Sequence, residues 1–207
     1  MKKFKSLLSK RKEKDMAAVG KVTIGFSKPY VAKYTVSDGV VTYSDCQKLA
    51  RGVSVAASPE SSDNNNFYAD NIVAETDSGT FTGGTVTYTV DGLLQDAEKL
   101  IQGLPAADAE GFLNYDDDQA TPFLGTGFII ETMSDGVRYW TPVVFTKVIA
   151  GQIETNADTE GESIDWQTQE IPFTLFKDDS AKHCWKRVGG EMASEAEAEA
   201  ALIAALS

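Results

Sequence analysis

Apolar and polar positions alternate with a period of two along most of this chain, the pattern of strands with one buried face. Val22, Ile24 and Phe26 alternate with small or polar residues, and Tyr30, Ala32, Tyr34 and Val36 alternate with Val31, Lys33 and Thr35. Asp38-Gly39 follows, a pair that tolerates positive φ, so a first hairpin is expected to turn there. Val86, Tyr88 and Val90 against Thr85, Thr87 and Thr89 give a strand that is β-branched on both faces. Later strands are read in 123–132, in 136–150 after the Asp135-Gly136 turn, and in 163–176, where Ile171, Phe173 and Leu175 share a face. Pro142 and Pro172 each remove a ladder donor, which predicts edge strands or bulges at both.

Four segments depart from this period. Leu93, Leu94, Ala97, Leu100 and Ile101 recur at helical spacing, with Asp91 as the expected N-cap and Gly103 as a left-handed stop. Ser194 with Glu197 three residues on is a capping-box pattern that opens an Ala/Glu-rich helix at the C-terminus. Ser58, Pro59, Glu60, Ser61, Ser62, Asp63, Asn64, Asn65 and Asn66 form a block rich in turn formers, read as a long exposed loop. Residues 1–16 are charged, with Phe4, Leu7 and Leu8 as a short stripe, and are expected to be disordered in isolation. The sum is a mainly β (α+β) fold: an antiparallel β-sandwich or barrel with one packed helix over 18–190, a flexible basic arm at 1–17 and a helical tail at 191–207.

Charge separates the arm from the body. The net charge is −12, yet seven of the nineteen Lys and Arg residues lie between Lys2 and Lys14. Setting those seven aside, with Glu13 and Asp15, leaves 12 basic against 29 acidic groups, a net −17. A body of that charge repels phosphate and disfavours nucleic-acid binding by counterion release. Cys46 and Cys184 lie far apart without metal-type spacing, which fits free thiols in a reducing compartment. The sequence contains no apolar run of membrane-spanning length and no signal-peptide pattern, so a cytoplasmically made product without membrane attachment is expected.

Candidate chemistry is sparse. His183 is the single histidine, with no spacing that organises a triad around it, and is expected as a strand residue with an ordinary hydrogen bond. The glycines of 79–84 and 125–127 lack the context of a phosphate loop and read as turns and bulges. Asp116, Asp117 and Asp118 lack the alternating oxygens and central glycine of a calcium loop and read as a solvated acidic segment. Tyr139, Trp140, Trp166 and Trp185 sit in strand-like stretches, where core or subunit packing is favoured over stacking on sugars or bases. No catalytic, cofactor-binding or metal-binding residue is assigned.

The segments 69–103, 125–150 and 156–176, in that order, resemble the phi13-type major tail proteins of siphophages. The resemblance spans roughly residues 18–190 and is carried by the succession of strand hairpin, helix, glycine-rich strand, aromatic strand and Trp-bearing final strands. It implies a non-enzymatic virion protein: a sandwich-like subunit of the phage tail tube. Six copies would close a ring through adjoining sheets, with the rings stacking around a channel that conducts DNA without binding it specifically. By the same analogy, Ser58 to Asn66 would contact the next ring, and the two tails would be arms that order on assembly. Assembly would take place in the host cytoplasm, with the tape measure, terminator and baseplate proteins as further tail partners. Carboxylates lining the channel would keep DNA from adhering, and Asp70, Glu75 and Asp77 are the candidates for that role. The alternatives are a β-sandwich adhesion or carbohydrate-binding module, or a baseplate or terminator subunit sharing the tube fold.

Overall fold

The computed structural model describes residues 20–117, 119–159 and 165–207; the expected basic arm and Asp118 lie outside the described residues. Ten strands and two helices are described: β1 (Val22–Ser37), β2 (Val40–Lys48), β3 (Gly52–Ser61), β4 (Asn65–Ala69), β5 (Ile72–Asp77), β6 (Phe81–Val90), α1 (Gln95–Gln102), β7 (Leu124–Ser134), β8 (Val137–Ala150), β9 (Gln169–Phe176), β10 (Lys186–Val188) and α2 (Glu195–Ala205). The fold is mainly β and its sheets are antiparallel. The main sheet runs β2-β1-β7-β8-β9-β6-β3, with short β10 also pairing with β8, while β4 and β5 pair only with each other.

The sheet curls so that strands far apart in its order meet across one apolar face. Phe26 on β1 stacks on Tyr88 of β6 with ring centroids 6.1 Å apart, and meets Phe128 of β7 edge to face at 5.4 Å. Val31, Leu124, Phe145, Val86 and Ile171 fill the same interior, and α1 closes it with Ala97 and Ile101. Thr126 is buried there without an orphaned hydroxyl, since its Oγ1 donates to the Tyr30 carbonyl at 2.9 Å and lies 3.1 Å from the Tyr88 hydroxyl.

The opposite face of β1, β7 and β8 is covered by α2, whose Ala198, Leu202 and Leu206 pack on Ala32, Ile129 and Val144. Polar contacts fix its register: Ser27 donates to Glu195, Tyr30 donates to Glu199, and Lys28 pairs with Glu199 at 3.1 Å. The Tyr30 hydrogen bond holds the Glu199 carboxyl below its ordinary range, while burial and that same carboxylate push the Tyr30 phenol up to about 12. A second polar clamp joins β1, β8 and the segment after β9. Tyr34 and Lys147 both donate to Asp179, lowering its carboxyl, and the Lys147 ammonium sits 4.3 Å from the Phe123 ring centroid.

Several expectations hold at this level. Asp38-Gly39 and Asp135-Gly136 turn hairpins with φ of 51° and 74°, and 51° and 76°. Gly103 ends α1 at φ 65°, and the Ser194 side chain accepts from the Glu197 N–H at the start of α2. Others are corrected. Asp91 does not cap α1, whose N-cap is Leu94; the Asp91 carboxylate instead takes the backbone N–H and the guanidinium of Arg51.

Pro142 and Pro172 lie on interior strands, without a register shift at either residue. Each carbonyl accepts from a residue just past the end of a neighbouring strand, Gly189 and Gly151 respectively. The imino nitrogen, on the same side of its strand, therefore faces a place where no ladder acceptor is needed. His183 is not in a strand; it lies between β9 and β10 at φ 49°, with Nδ1 3.2 Å from the Asp178 carbonyl. Gly125 and Gly127 are strand residues of β7 under α2, not turns, although Gly125 does lie at a register shift against β8 between Leu124 and Thr126.

Candidate functional site

The block from Ser58 to Asn66 is exposed as expected, but most of it is not a loop. Ser58 to Ser61 complete β3, paired with β6 from Thr85 to Phe81, and Asn65 and Asn66 open β4, leaving only Ser62 to Asn64 between strands. Pro59 is tolerated because β3 is an edge strand, and opposite it Gly84 takes φ 139°. The turn-rich composition thus marks an edge and a strand crossing, not a free loop.

Beyond it the chain runs out as the hairpin β4–β5, which among the described residues pairs with no strand of the main sheet. Asp70 and Asn71 form its turn with φ 51° and 62°, the two positive values that a tight hairpin requires. Asn65 faces Asp77, Phe67 faces Glu75, Tyr68 faces Val73 and Ala69 faces Ile72, with a bulge between Phe67 and Tyr68. Opposed residues share a face, so Glu75 and Asp77 lie on one side with Asn65 and Phe67, while Asn66, Tyr68, Val73 and Thr76 lie on the other. The distal half is apolar on both sides: Phe67 is 64% exposed, Tyr68 62% and Ile72 67%. Residues 52–98 contain no Lys or Arg, and among the described residues none of Glu60, Asp63, Asp70, Glu75 and Asp77, on or beside the ribbon, is in an ion pair. The three candidate lining residues therefore fall on one element, Glu75 and Asp77 on a shared face and Asp70 at the turn.

A second feature is an open groove of about 660 Å³ between β2 and α1, lined among others by Lys33, Cys46, Lys99, Leu100, Leu104 and Pro122. Gln47 donates to the Asp96 carbonyl at 3.3 Å and ties the two elements together. Asp45 and Asp96 also line the groove. Among the described residues neither Lys33 nor Lys99 is in an ion pair, and burial raises the Cys46 thiol.

A third lies where Gln152, Asn156, Gln167 and Gln169 line an open groove of about 620 Å³ beside β6 and β9. Trp166, next to that groove in sequence, is 83% exposed, which removes the core half of the expectation of core or subunit packing for this residue. Trp185 does pack inside, stacked on Phe81 at 4.3 Å, and Trp140 lies beneath α2. Among the described residues no three His, Cys, Asp or Glu side chains are placed to hold a metal ion, and no helix is long and apolar enough to cross a membrane.

The sequence pattern located the hairpin's carboxylates but missed its exposed apolar tip, because Phe67, Tyr68, Ile72 and Val73 read as ordinary strand residues. The groove between β2 and α1 has no sequence signal, since its walls come from residues 33 to 122. No family model matches this chain, and neither does any curated protein.

Proposed function

We propose that this chain is a structural subunit that polymerises into a tube, the tail tube of a phage. The observation that carries this reading is the β4–β5 hairpin, which among the described residues pairs with no further strand and holds four large apolar side chains in solvent. A two-stranded ribbon of this kind is marginal alone. Burying Phe67, Tyr68, Ile72 and Val73 against another copy would contribute about 1.5–3 kcal/mol for each side chain fully covered. The open edges of β2 and β3 supply a second contact: joined between copies in a ring, these edge strands pair and no edge is left to aggregate. In this reading the curled sheet is a sandwich-like or barrel-like unit, and six copies form a ring. Stacked rings enclose an acidic bore through which DNA passes unbound, and the tape measure, terminator and baseplate proteins cap or fill the tube. Glu75 and Asp77, sharing a face, and Asp70 at the turn line that bore, and the block from Ser58 to Asn66 meets the adjoining ring. The assembled protein belongs to the virion tail and is built in the host cytoplasm.

A second reading, a carbohydrate-binding module, is favoured by exposed Trp166, whose chain neighbour Gln167 lines the amide-bearing groove, since an exposed indole near hydrogen-bonding side chains suits a sugar ring. Negative-stain electron microscopy of the purified chain over a concentration series separates the two. Hollow tubes of constant diameter are expected. A chain that stays monomeric at the highest concentration and is retained on a glycan surface would replace the tube reading with the second.

A further inference from the structure

We infer that residues 2–14 of this chain dock, within the same chain, on the acidic and aromatic surface where α1 meets the segment 108–117. The inference goes beyond the tube reading and stands independently of it.

The surface is built from two stretches tied together by hydrogen bonds. The Asp108 carboxylate accepts from the Phe112 N–H at 2.8 Å while the Asp108 N–H donates to the Phe112 carbonyl at 3.0 Å, with Gly111 at φ 89° between them. The Phe112 N–H also holds the Asp108 carboxyl below its ordinary range. Gln95 donates to the Gly111 carbonyl at 3.1 Å and the Tyr115 hydroxyl donates to Glu98 at 2.7 Å, so this loop lies against the first turn of α1. Leu94 and Glu98, four residues apart, share that side of the helix. Leu94, Phe112 and Tyr115 are 53%, 67% and 49% exposed, which leaves an apolar patch in solvent among the described residues.

Charge selects what covers the patch. From residue 52 to 137 the chain has fifteen Asp and Glu but one basic residue, Lys99. Lys99 lines the groove toward β2, which Leu94, Gln95 and Glu98 do not. Among the described residues Glu98, Asp108 and Glu110 are in no ion pair. Such a surface suits a segment that is both basic and apolar, and residues 2–14 combine the two: seven Lys and Arg against Glu13, around Phe4, Leu7 and Leu8. The spacing of those three puts them on one stripe of a helix, the arrangement by which an amphipathic segment presents its anchors to an apolar surface.

The tether favours the chain's own segment. Leu49 donates to the Pro29 carbonyl at 2.9 Å and Leu94 donates to the Leu49 carbonyl at 3.4 Å, which fixes the start of α1 beside the middle of β1. Val22 opens β1 seven residues before Pro29, about 23 Å of strand, so Leu94 lies within roughly 35 Å of it. The fourteen residues from Leu8 to Val22 can span up to about 46 Å. The segment therefore reaches the patch, and attachment gives it an effective concentration on the order of millimolar, above that of another copy in dilute solution.

Carbodiimide coupling, which joins a lysine amine directly to a carboxylate, tests this on the full chain diluted until light scattering reports monomer. Peptide mapping is expected to find lysines of 2–14 joined to Glu98, Glu110, Asp116 or Asp117. In a mixture of isotope-labelled and unlabelled protein, these links should form within one chain. A Phe4→Ser, Leu7→Ser, Leu8→Ser variant keeps every charge and alters none of the residues that build the fold. Its yield of links, and that of Phe112→Ser, should fall by about tenfold or more, as loss of a buried anchor requires. An absence of links, equal yields in the arm variant, links to Glu75 and Asp77 in place of the patch, or links joining labelled to unlabelled chains would each overturn the docking.

Discussion

At the scale of the single residue, Gly127 shows how closely α2 sits on the sheet. A Cβ at this position would lie 2.6 Å from Cδ1 of Leu202 and 2.7 Å from the Val143 carbonyl oxygen. The leucine end can give way, but the carbonyl belongs to β8 and cannot move without breaking the β7–β8 ladder. Gly127→Ala is therefore expected to destabilise the fold by about 1–3 kcal/mol, lowering Tm by roughly 2–4 °C for each kcal/mol. Gly190, with nothing within 4 Å, serves as the control, and Gly190→Ala should leave Tm unchanged. Equal melting of both variants would remove the argument for close approach. The sequence showed a glycine-rich strand here but not its reason, because a breaker pattern looks the same whether the missing side chain frees a turn or makes room for a helix. Asp38-Gly39 and Asp135-Gly136 were legible because there the residue answers a purely local demand, positive φ.

At the scale of the element, α2 tests whether a terminal helix is held by its own propensity or by what it covers. Its start is local and was readable: Ser194 accepts from the Glu197 N–H at 3.3 Å. Its face is not local, since Ala198, Leu202 and Leu206 meet Ala32, Ile129 and Val144 from three strands. An 11-residue helix is marginal alone, so packing must dominate. Leu202→Ala is expected to cost about 2–5 kcal/mol and Ser194→Ala about 1 kcal/mol, both read from urea midpoints. A cap variant as costly as the core variant would overturn that ranking. The same contrast explains what was misread elsewhere. Asp91 looked like a cap because it precedes a helical pattern, but Arg51 on the strand side competes for its carboxylate. Ser58 to Ser61 looked like a loop because composition reports turn preference, whereas a β6 ladder across the gap outweighs it.

At the scale of the whole molecule, the question is which force governs association between copies. Beyond Asp15 every copy carries a net −17, so copies repel at long range. The contacts proposed for assembly, burial of the hairpin's exposed apolar side chains and strand edges in register, act only at short range. Salt should therefore favour assembly: the Debye length falls from about 30 Å at 0.01 M to about 8 Å at 0.15 M, screening the repulsion while leaving the apolar burial intact. The concentration at which light scattering first rises is expected to drop across that range, and to drop less in an Ile72→Asp variant, which weakens the short-range term. A threshold that climbs with salt would mean that opposite charges hold the copies together. The basic arm at 1–17 would then be the natural source of the attraction, and the hairpin tip would lose its place as the principal contact.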